Sequence, residues 1–325
     1  MIVMFDRYSI VTGKGRGRTV DFDLHLSTKY SRPRTVRYHL PRAHLTDLLK
    51  EGLSRRLTTL VATAGHGKTS SLAHFLTEVE QTSLWLQLGS HDSDLQTLLR
   101  YLAFGIHREL HGGSRLLTAL ESGRTITDPL PLIVADLQDT ADHHVIVLDD
   151  FHLIDRGSPV IGLVSALLQY CGERTHLYIC SRTPLPFSTA RLKVIQEAGE
   201  LTEDDFRFTR SEIQTFLQNM THIQVNEDQL EQICHLTEGW TAALVLLADG
   251  LRRRGSLDRA LAGVLPSDLF TYLADELFRS LAPDVQLFME ESAILDVCSP
   301  VACDAILERC DSAVLLGQLL NSNLL

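Results

Sequence analysis

The stretch Leu57–Ser71, LTTLVATAGHGKTSS, restricts what this chain can fold into more than any other. An aliphatic and β-branched run, Leu57–Val61, reads as a buried strand. It breaks into the small-residue loop Ala62-Thr63-Ala64-Gly65-His66-Gly67, and Lys68-Thr69-Ser70-Ser71 then opens a helix. Strand, glycine turn and helix start make an anion cradle, because unpaired amides and the positive end of the helix dipole converge on one point. On this reading Lys68 reaches the β- and γ-phosphates and the Thr69 hydroxyl ligates Mg²⁺. The usual pattern asks for glycine where this chain has Ala62, so a loop that merely turns the chain stays open.

A second stretch supplies the complement. Val145–Leu148 is another buried strand, and it ends in two carboxylates, Asp149 and Asp150. A strand-end aspartate can hold Mg²⁺ through water, and its neighbour can polarise an attacking water. A solvated acidic turn is the bland alternative. The phosphate loop and the acid-tipped strand, with a helical stretch between them, together point to a nucleoside triphosphate.

Composition removes other classes. A chain of 325 residues can build two or three cores. The apolar start Met1–Phe5 is cut off by Asp6 and Arg7, too short for a signal peptide or a membrane span. Six cysteines without a CxxC pair read as structural thiols in a reducing cytoplasm. Net charge is −11, yet residues 1–42 carry nine Lys/Arg against three Asp/Glu, a net of +6, which leaves −17 elsewhere. An acidic body argues against a broad nucleic-acid face. The basic residues 1–33 read as an extension, a mobile leader or a hairpin around Gly13–Arg18, with contact to a polyanion the alternative.

In order, the lead-in to Arg42 is extended and proline-punctuated, and Ala43–Leu53 has helical periodicity. Its closeness to the loop makes Arg37, Pro41 and Arg42 candidates for the adenine edge. Helices are expected over Lys68–Glu80, Asp94–Leu110, Leu130–Ala141 and Pro159–Tyr170, with Gly112–Thr127 a polar connection. Strands are expected at Ser83–Leu88 and His176–Cys180, the latter running into Ser181-Arg182. Alternating strands and helices predict an α/β fold with a parallel sheet and right-handed crossovers. From Thr209 onward the strand signals stop. Ser211 is read as the cap of Glu212–Met220, Asn226 as the start of a helix to Thr237, and Gly239-Trp240 as the opening of a helix to Arg254. Ser267–Phe278, Pro283–Ala293, Pro300–Leu307 and Ser312–Asn321 complete a helical carboxyl side. The expected division is an extension over 1–33, a P-loop NTPase domain over 34–205, a helical domain over 206–265 and a winged-helix domain, truncated, over 266–325.

With these motifs in place the chain resembles the MalT-like group of STAND-class signal-transduction ATPases, the large ATP-binding regulators of the LuxR type. The loop Ala64-Gly65-His66-Gly67-Lys68-Thr69 matches the group's A-G-Y/H-G-K-T, in which the first glycine is habitually missing. Asp149-Asp150-Phe151-His152 matches its D-D-Y/F-H, and Ser181-Arg182 its strand ending in S-R. Phe208-Thr209-Arg210-Ser211-Glu212 and Gly239-Trp240-Thr241-Ala242-Ala243-Leu244 match two later segments, and Phe288–Leu295 looks like the start of the group's winged helix. The resemblance covers roughly residues 34–325. It implies that Arg182 senses the γ-phosphate and that Trp240 lies on the nucleotide's far side. Ala64 to Ser70, with Arg42, would complete the nucleotide contacts. Lys68 and Asp150 would act catalytically, and Thr69 and Asp149 would hold Mg²⁺. His152 reads as packing or a helix-start contact.

The expected function is an ATP/ADP switch with slow hydrolysis that gates self-association, monomeric with ADP. The alternative is a turnover enzyme of the same loop class, an AAA-type remodeller or a small-molecule kinase. The all-helical carboxyl side shows no second polar pocket for a phosphoryl acceptor, which counts against a kinase. By the same resemblance the inducer site and the DNA reader lie beyond this stretch of sequence, so no DNA binding is expected of it.

Overall fold

The computed structural model describes residues 29–35, 39–123, 126–254, 278, 281–295 and 297–321. The basic extension before Lys29, Arg37 and the helix expected at Ser267–Phe278 (save Phe278 itself) lie outside the described residues.

Five strands, β1 (Leu57–Val61), β2 (Ser83–Gln87), β3 (His144–Asp149), β4 (Thr175–Ser181) and β5 (Ala198–Leu201), form one sheet in the order β2-β3-β4-β1-β5. Every pairing is parallel, as the strand–helix alternation predicts. Between them run α1 (Ala43–Gly52), α2 (Lys68–Glu78), α3 (Leu95–Glu109), α4 (Arg115–Glu121), α5 (Leu130–Gln138), α6 (Pro159–Tyr170) and the short α7 (Ala190–Val194).

The strands are apolar on both sides because helices cover both faces. Ile146 and Leu148 of β3, with Leu177 and Ile179 of β4, face the layer built from α3 to α6. The alternate residues Val145, Val147, Tyr178 and Cys180 face α1 and α2 through Leu49, Leu72, Phe75 and Leu76. The buried Tyr178 hydroxyl donates to the Leu49 carbonyl at 2.6 Å, tying the first helix to the sheet.

Two further cores follow. α8 (Glu203–Phe206), α9 (Arg210–Thr221), α10 (Glu227–Thr237) and α11 (Thr241–Arg254) continue the chain, and Ile213, Phe216, Leu217, Ile233, Leu244 and Leu247 pack α9, α10 and α11 together. α12 (Pro283–Ser292), α13 (Pro300–Ile306) and α14 (Ser312–Asn321) pack around Phe288, Cys303 and Leu315.

Several local expectations are corrected. The edge strand β5 has no sequence signature: Ala-Gly-Glu-Leu lacks β-branched residues, and it forms because β1 offers it a free edge. The polar connection at Gly112–Thr127 contains α4, whose start is held by Asp136 accepting from the amides of Arg115 and Leu116 at 2.9 and 2.8 Å. Helix α9 is capped by Thr209, not Ser211; Thr209 Oγ1 accepts from the Glu212 amide while Glu212 Oε2 accepts from the Thr209 amide. Asn226 caps α10 as expected. The cations at the end of α11 are engaged in part by Asp249, which pairs with Arg252 and Arg253.

Candidate nucleotide site

Parallel strands deliver their carboxyl ends to one edge, where α/β folds bind ligands. Here that edge holds Gln87, Asp149 and Ser181, the last residues of β2, β3 and β4, beside the loop that leaves β1.

Gly65 and Gly67 take left-handed backbone, φ 78° and 82°, which a residue with a Cβ adopts only with strain. Gly67 is the N-cap of α2. From Gly65 to Thr69 none of the amides finds an acceptor among the described residues. Such a run of free donors at a helix start is an anion cradle. The Lys68 ammonium is buried with it and donates to the carbonyls of Ala62 and Thr63 at 2.5 and 3.0 Å. Burial pushes its pKa down, while Asp149 and Asp150 pull it back up.

The acid at the tip of β3 is fully buried. Asp149 Oδ1 accepts from Thr69 Oγ1 and from the Asp150 amide, both at 3.1 Å, whereas Oδ2 has no hydrogen-bond partner among the described residues. Burial, then the adjacent Asp150, push this carboxyl up to about 6. A buried carboxylate oxygen without a donor, beside a threonine hydroxyl, is the donor chemistry a hard divalent cation takes. Asp150 has left-handed backbone, φ 56°, and its Oδ2 accepts from Gln87 Nε2 at 2.5 Å. The strain is therefore held in place by the neighbouring strand. His152 lies 4.0 Å from Asp150 Oδ1, and burial, with Arg182 and Lys68 adding, pushes it down to about 3, so it is neutral. The structure thus brings Lys68, Thr69, Asp149, Asp150 and Arg182 to one edge, with Gln87 and His152 beside them.

Arg42 and Trp240 sit elsewhere. Arg42 is buried, with its guanidinium donating to the carbonyls of Asp205, Phe206 and Arg207, pairing with Glu212 Oε1 at 3.2 Å and lying 4.5 Å over the Phe208 ring. Its donors fasten the lead-in to α8 and α9, so most of its hydrogen-bonding capacity is spent within the fold and it serves as a wall. That wall belongs to an apolar cavity of about 230 Å³ lined by His39, Leu40, Phe208, Phe216, Met220 and Val245, and closed on the loop side by Gly67, Ser70, Ser71 and Thr241. His39 stacks on His74 with ring centroids 3.7 Å apart, and burial, then His74 and Arg42, push it down to about 4, leaving a neutral ring in the wall. Pro41 is exposed and does not line the cavity.

Trp240 stands on the outer side of the phosphate loop. Its Nε1 donates to the Ala64 carbonyl at 3.1 Å, and the next two residues continue the contact: Thr241 Oγ1 donates to the His66 carbonyl at 3.2 Å and the Ala242 amide to the Gly65 carbonyl at 2.9 Å. Below it, Glu203 accepts from Thr63 Oγ1 at 2.9 Å and lies 3.4 Å from His66 Nε2. The His66 imidazole is therefore structural, a role added to that of its amide.

Sequence reasoning missed Gln87, Glu203 and His39. Gln87 carried a signal, a polar residue at the carboxyl end of an apolar strand. Glu203 and His39 carried none, because their roles depend on what folds against them.

Comparison with known proteins agrees with this geometry. A family model for the AAA domain matches residues 51–187, and one for the MalT winged helix domain matches residues 274–325. The HTH-type transcriptional regulator MalT of Vibrio cholerae is 23% identical over 304 residues, covering 90% of this chain and 33% of the relative. Its counterpart from Yersinia enterocolitica is 26% identical over 278 residues, covering 83% and 30%. The chain thus spans about a third of the length of these curated relatives. Among solved structures, a Walker-type ATPase of Pyrococcus abyssi superposes with TM-score 0.56 at 17% identity, covering 90% of this chain and 92% of the other. A STAND protein with a tetratricopeptide repeat sensor from Pyrococcus horikoshii gives 0.52 at 13% identity, covering 91% and 41%. No helix among the described residues is long and apolar enough to cross a membrane. The P-loop fold implies nucleotide binding, and over most of its length the chain is similar to the MalT regulators, with the match to the AAA domain followed by the match to the MalT winged helix.

Proposed function

We propose that this chain is the ATP/ADP switch of a signal-dependent transcriptional regulator. The observation that carries the reading is the pairing of a loop whose five amides find no acceptor among the described residues with a buried aspartate, one oxygen of which has no partner there while the other lies 3.1 Å from the loop's threonine. The amides from Gly65 to Thr69 and the Lys68 ammonium hold the phosphates, the lysine exchanging loop carbonyls for phosphate oxygens. The cavity between His39, Phe208 and Val245 holds the base, with Ser70 in its wall on the loop side. Thr69 and Asp149 hold Mg²⁺, which when bound neutralises phosphate charge. Asp150, oriented by Gln87, positions the attacking water, and Arg182 contacts the γ-phosphate.

Residues 34–205, 206–265 and 266–325 act on this reading as ATPase, helical and winged-helix units, with 1–33 an extension. The helical unit bears on the phosphate loop through Trp240, Thr241 and Ala242, so the bound nucleotide biases its position. Hydrolysis is slow, ADP holds a cytoplasmic monomer and ATP permits self-association. Inducer and DNA are bound by segments of the whole regulator outside this chain.

Purified protein should carry ADP or ATP, and steady-state turnover should fall well below about one per second, the lower end of ordinary enzyme rates. Turnover at or above that rate would favour an AAA-type remodeller or a kinase. In gel shifts at moderate salt the chain should show no sequence-specific DNA affinity.

A further inference from the structure

We propose that Trp240 and Thr241 are positioning residues that aim the phosphate-binding amides from the far side of their own peptide planes. This rests on the nucleotide reading above. A peptide unit is planar and trans, so holding its carbonyl oxygen fixes the direction of the following N–H. Trp240 Nε1 holds the Ala64 oxygen, the Ala242 amide that of Gly65, and Thr241 Oγ1 that of His66. Those three oxygens share planes with the amides of Gly65, His66 and Gly67. Three consecutive donors at the start of one helix therefore set three consecutive cradle amides. Gly65 and Gly67 need this restraint most, since glycine is the residue most free to leave a given backbone conformation.

The donors lie 175 or more residues away along the chain, on a helix whose own core is separate from the sheet. The cradle is thus complete only while α11 is docked. Gly239 fixes the approach of the chain to Trp240 within the helical core. Its φ is +76°, and a Cβ there would come within 2.5 Å of the Phe208 carbonyl oxygen. The chain therefore runs close against Phe208 immediately before Trp240, and the Phe208 amide donates to the Gly239 carbonyl at 2.9 Å. Phosphate binding and helix docking are in this way one event: ordering the amides rewards the docked helix, and undocking the helix releases the amides. Trp240 touches no nucleotide on this account, which replaces the far-side contact expected from the resemblance.

The test uses the 325-residue chain with Trp240→Phe, which keeps an aromatic ring and deletes the donor, Thr241→Val, which deletes the hydroxyl, and Thr241→Ser, which keeps it. Trp240→Phe should weaken ATP and ADP about tenfold, while adenosine, measured by competition, keeps its wild-type affinity. Thr241→Val should do the same and Thr241→Ser should restore binding. Amide hydrogen exchange in the peptide spanning residues 62–70, measured without nucleotide, should speed up in Trp240→Phe and Thr241→Val at unchanged melting temperature. Wild-type affinity for ATP together with wild-type exchange would overturn the proposal. So would a loss shared equally by adenosine, which marks a merely structural role. A wild-type chain that binds no nucleotide would instead sink the reading beneath it.

Discussion

The two halves of the site are built in opposite ways. On the loop side every carbonyl from Ala62 to His66 has a protein donor: Lys68 for Ala62 and Thr63, Trp240, Ala242 and Thr241 for the next three. On the β3 side Asp149 is buried with one oxygen unpartnered among the described residues and its pKa pushed up to about 6. The loop is held ready by hydrogen bonds that satisfy each of these carbonyls, three from neutral donors and two from the Lys68 ammonium. The acid is left under-satisfied, which is costly for a buried charge until a cation supplies the missing partner. On the proposed reading that asymmetry would serve a switch, because the costly half would be relieved when a cation arrives with the phosphates.

The largest break of the comparison is Lys68→Ala. It removes the one cation buried in the cradle, and ATP affinity should fall by about 100-fold or more with the fold retained. Isothermal titration with circular dichroism checks both, and near-native affinity would take the loop out of the site.

Asp149→Asn tests the other half. Removing the buried charge should raise the melting temperature of the nucleotide-free protein while Mg²⁺ dependence of ATP binding weakens by about tenfold or more. Asp150→Asn should leave ATP bound and slow its hydrolysis. If both substitutions move binding and turnover alike, the two acids do not divide the work.

Gly239→Ala attacks the tight turn that leads into the loop's donors at Trp240, Thr241 and Ala242. A methyl group 2.5 Å from the Phe208 oxygen, at φ +76°, forces α11 to shift. Unfolding stability should drop by about 1–3 kcal/mol, read by denaturant titration; no change would mean that the turn yields without strain.

Arg182→Ala should cost ATP about tenfold in affinity and ADP little, since a γ-phosphate offers charge-assisted hydrogen bonds that ADP lacks. Equal losses for the two nucleotides would remove the sensor role.

The smallest effect is that of pH. Asp149 has its pKa raised from 3.8 to about 6, so the folded chain binds a proton more tightly than the unfolded one. Its charged form therefore lowers stability above pH 6, and protonation returns that stability as pH falls through 6 toward 4. Mg²⁺ competes with the same proton, so Mg²⁺-dependent affinity should fall about fourfold between pH 7 and 5.5. Asp149→Asn should abolish this dependence in melting and in binding alike.

Much of this was legible in residue order. The buried strands β1 to β4 announced themselves as apolar runs, since a parallel sheet covered on both faces needs side chains that are apolar in both directions. The loop and the acid pair were legible because their chemistry is local: glycines for positive φ, a helix start for the amides, carboxylates at a strand end. The strand β5 was not, because a four-residue segment containing glycine is a strand only where a partner edge waits. Arg42, expected at the adenine edge, lines the cavity, but its engagement by the carbonyls of residues 205–207 could not be foreseen. Trp240 shows the limit most clearly. Its spacing marks a helix start, yet whether its indole meets a nucleotide or a loop carbonyl depends on how one core docks on another. Local patterns record which surfaces a segment must bury and which turns it can make. The pairing of segments 175 residues apart is decided by packing and hydrogen-bond complementarity between finished elements, and only the tertiary structure holds that information.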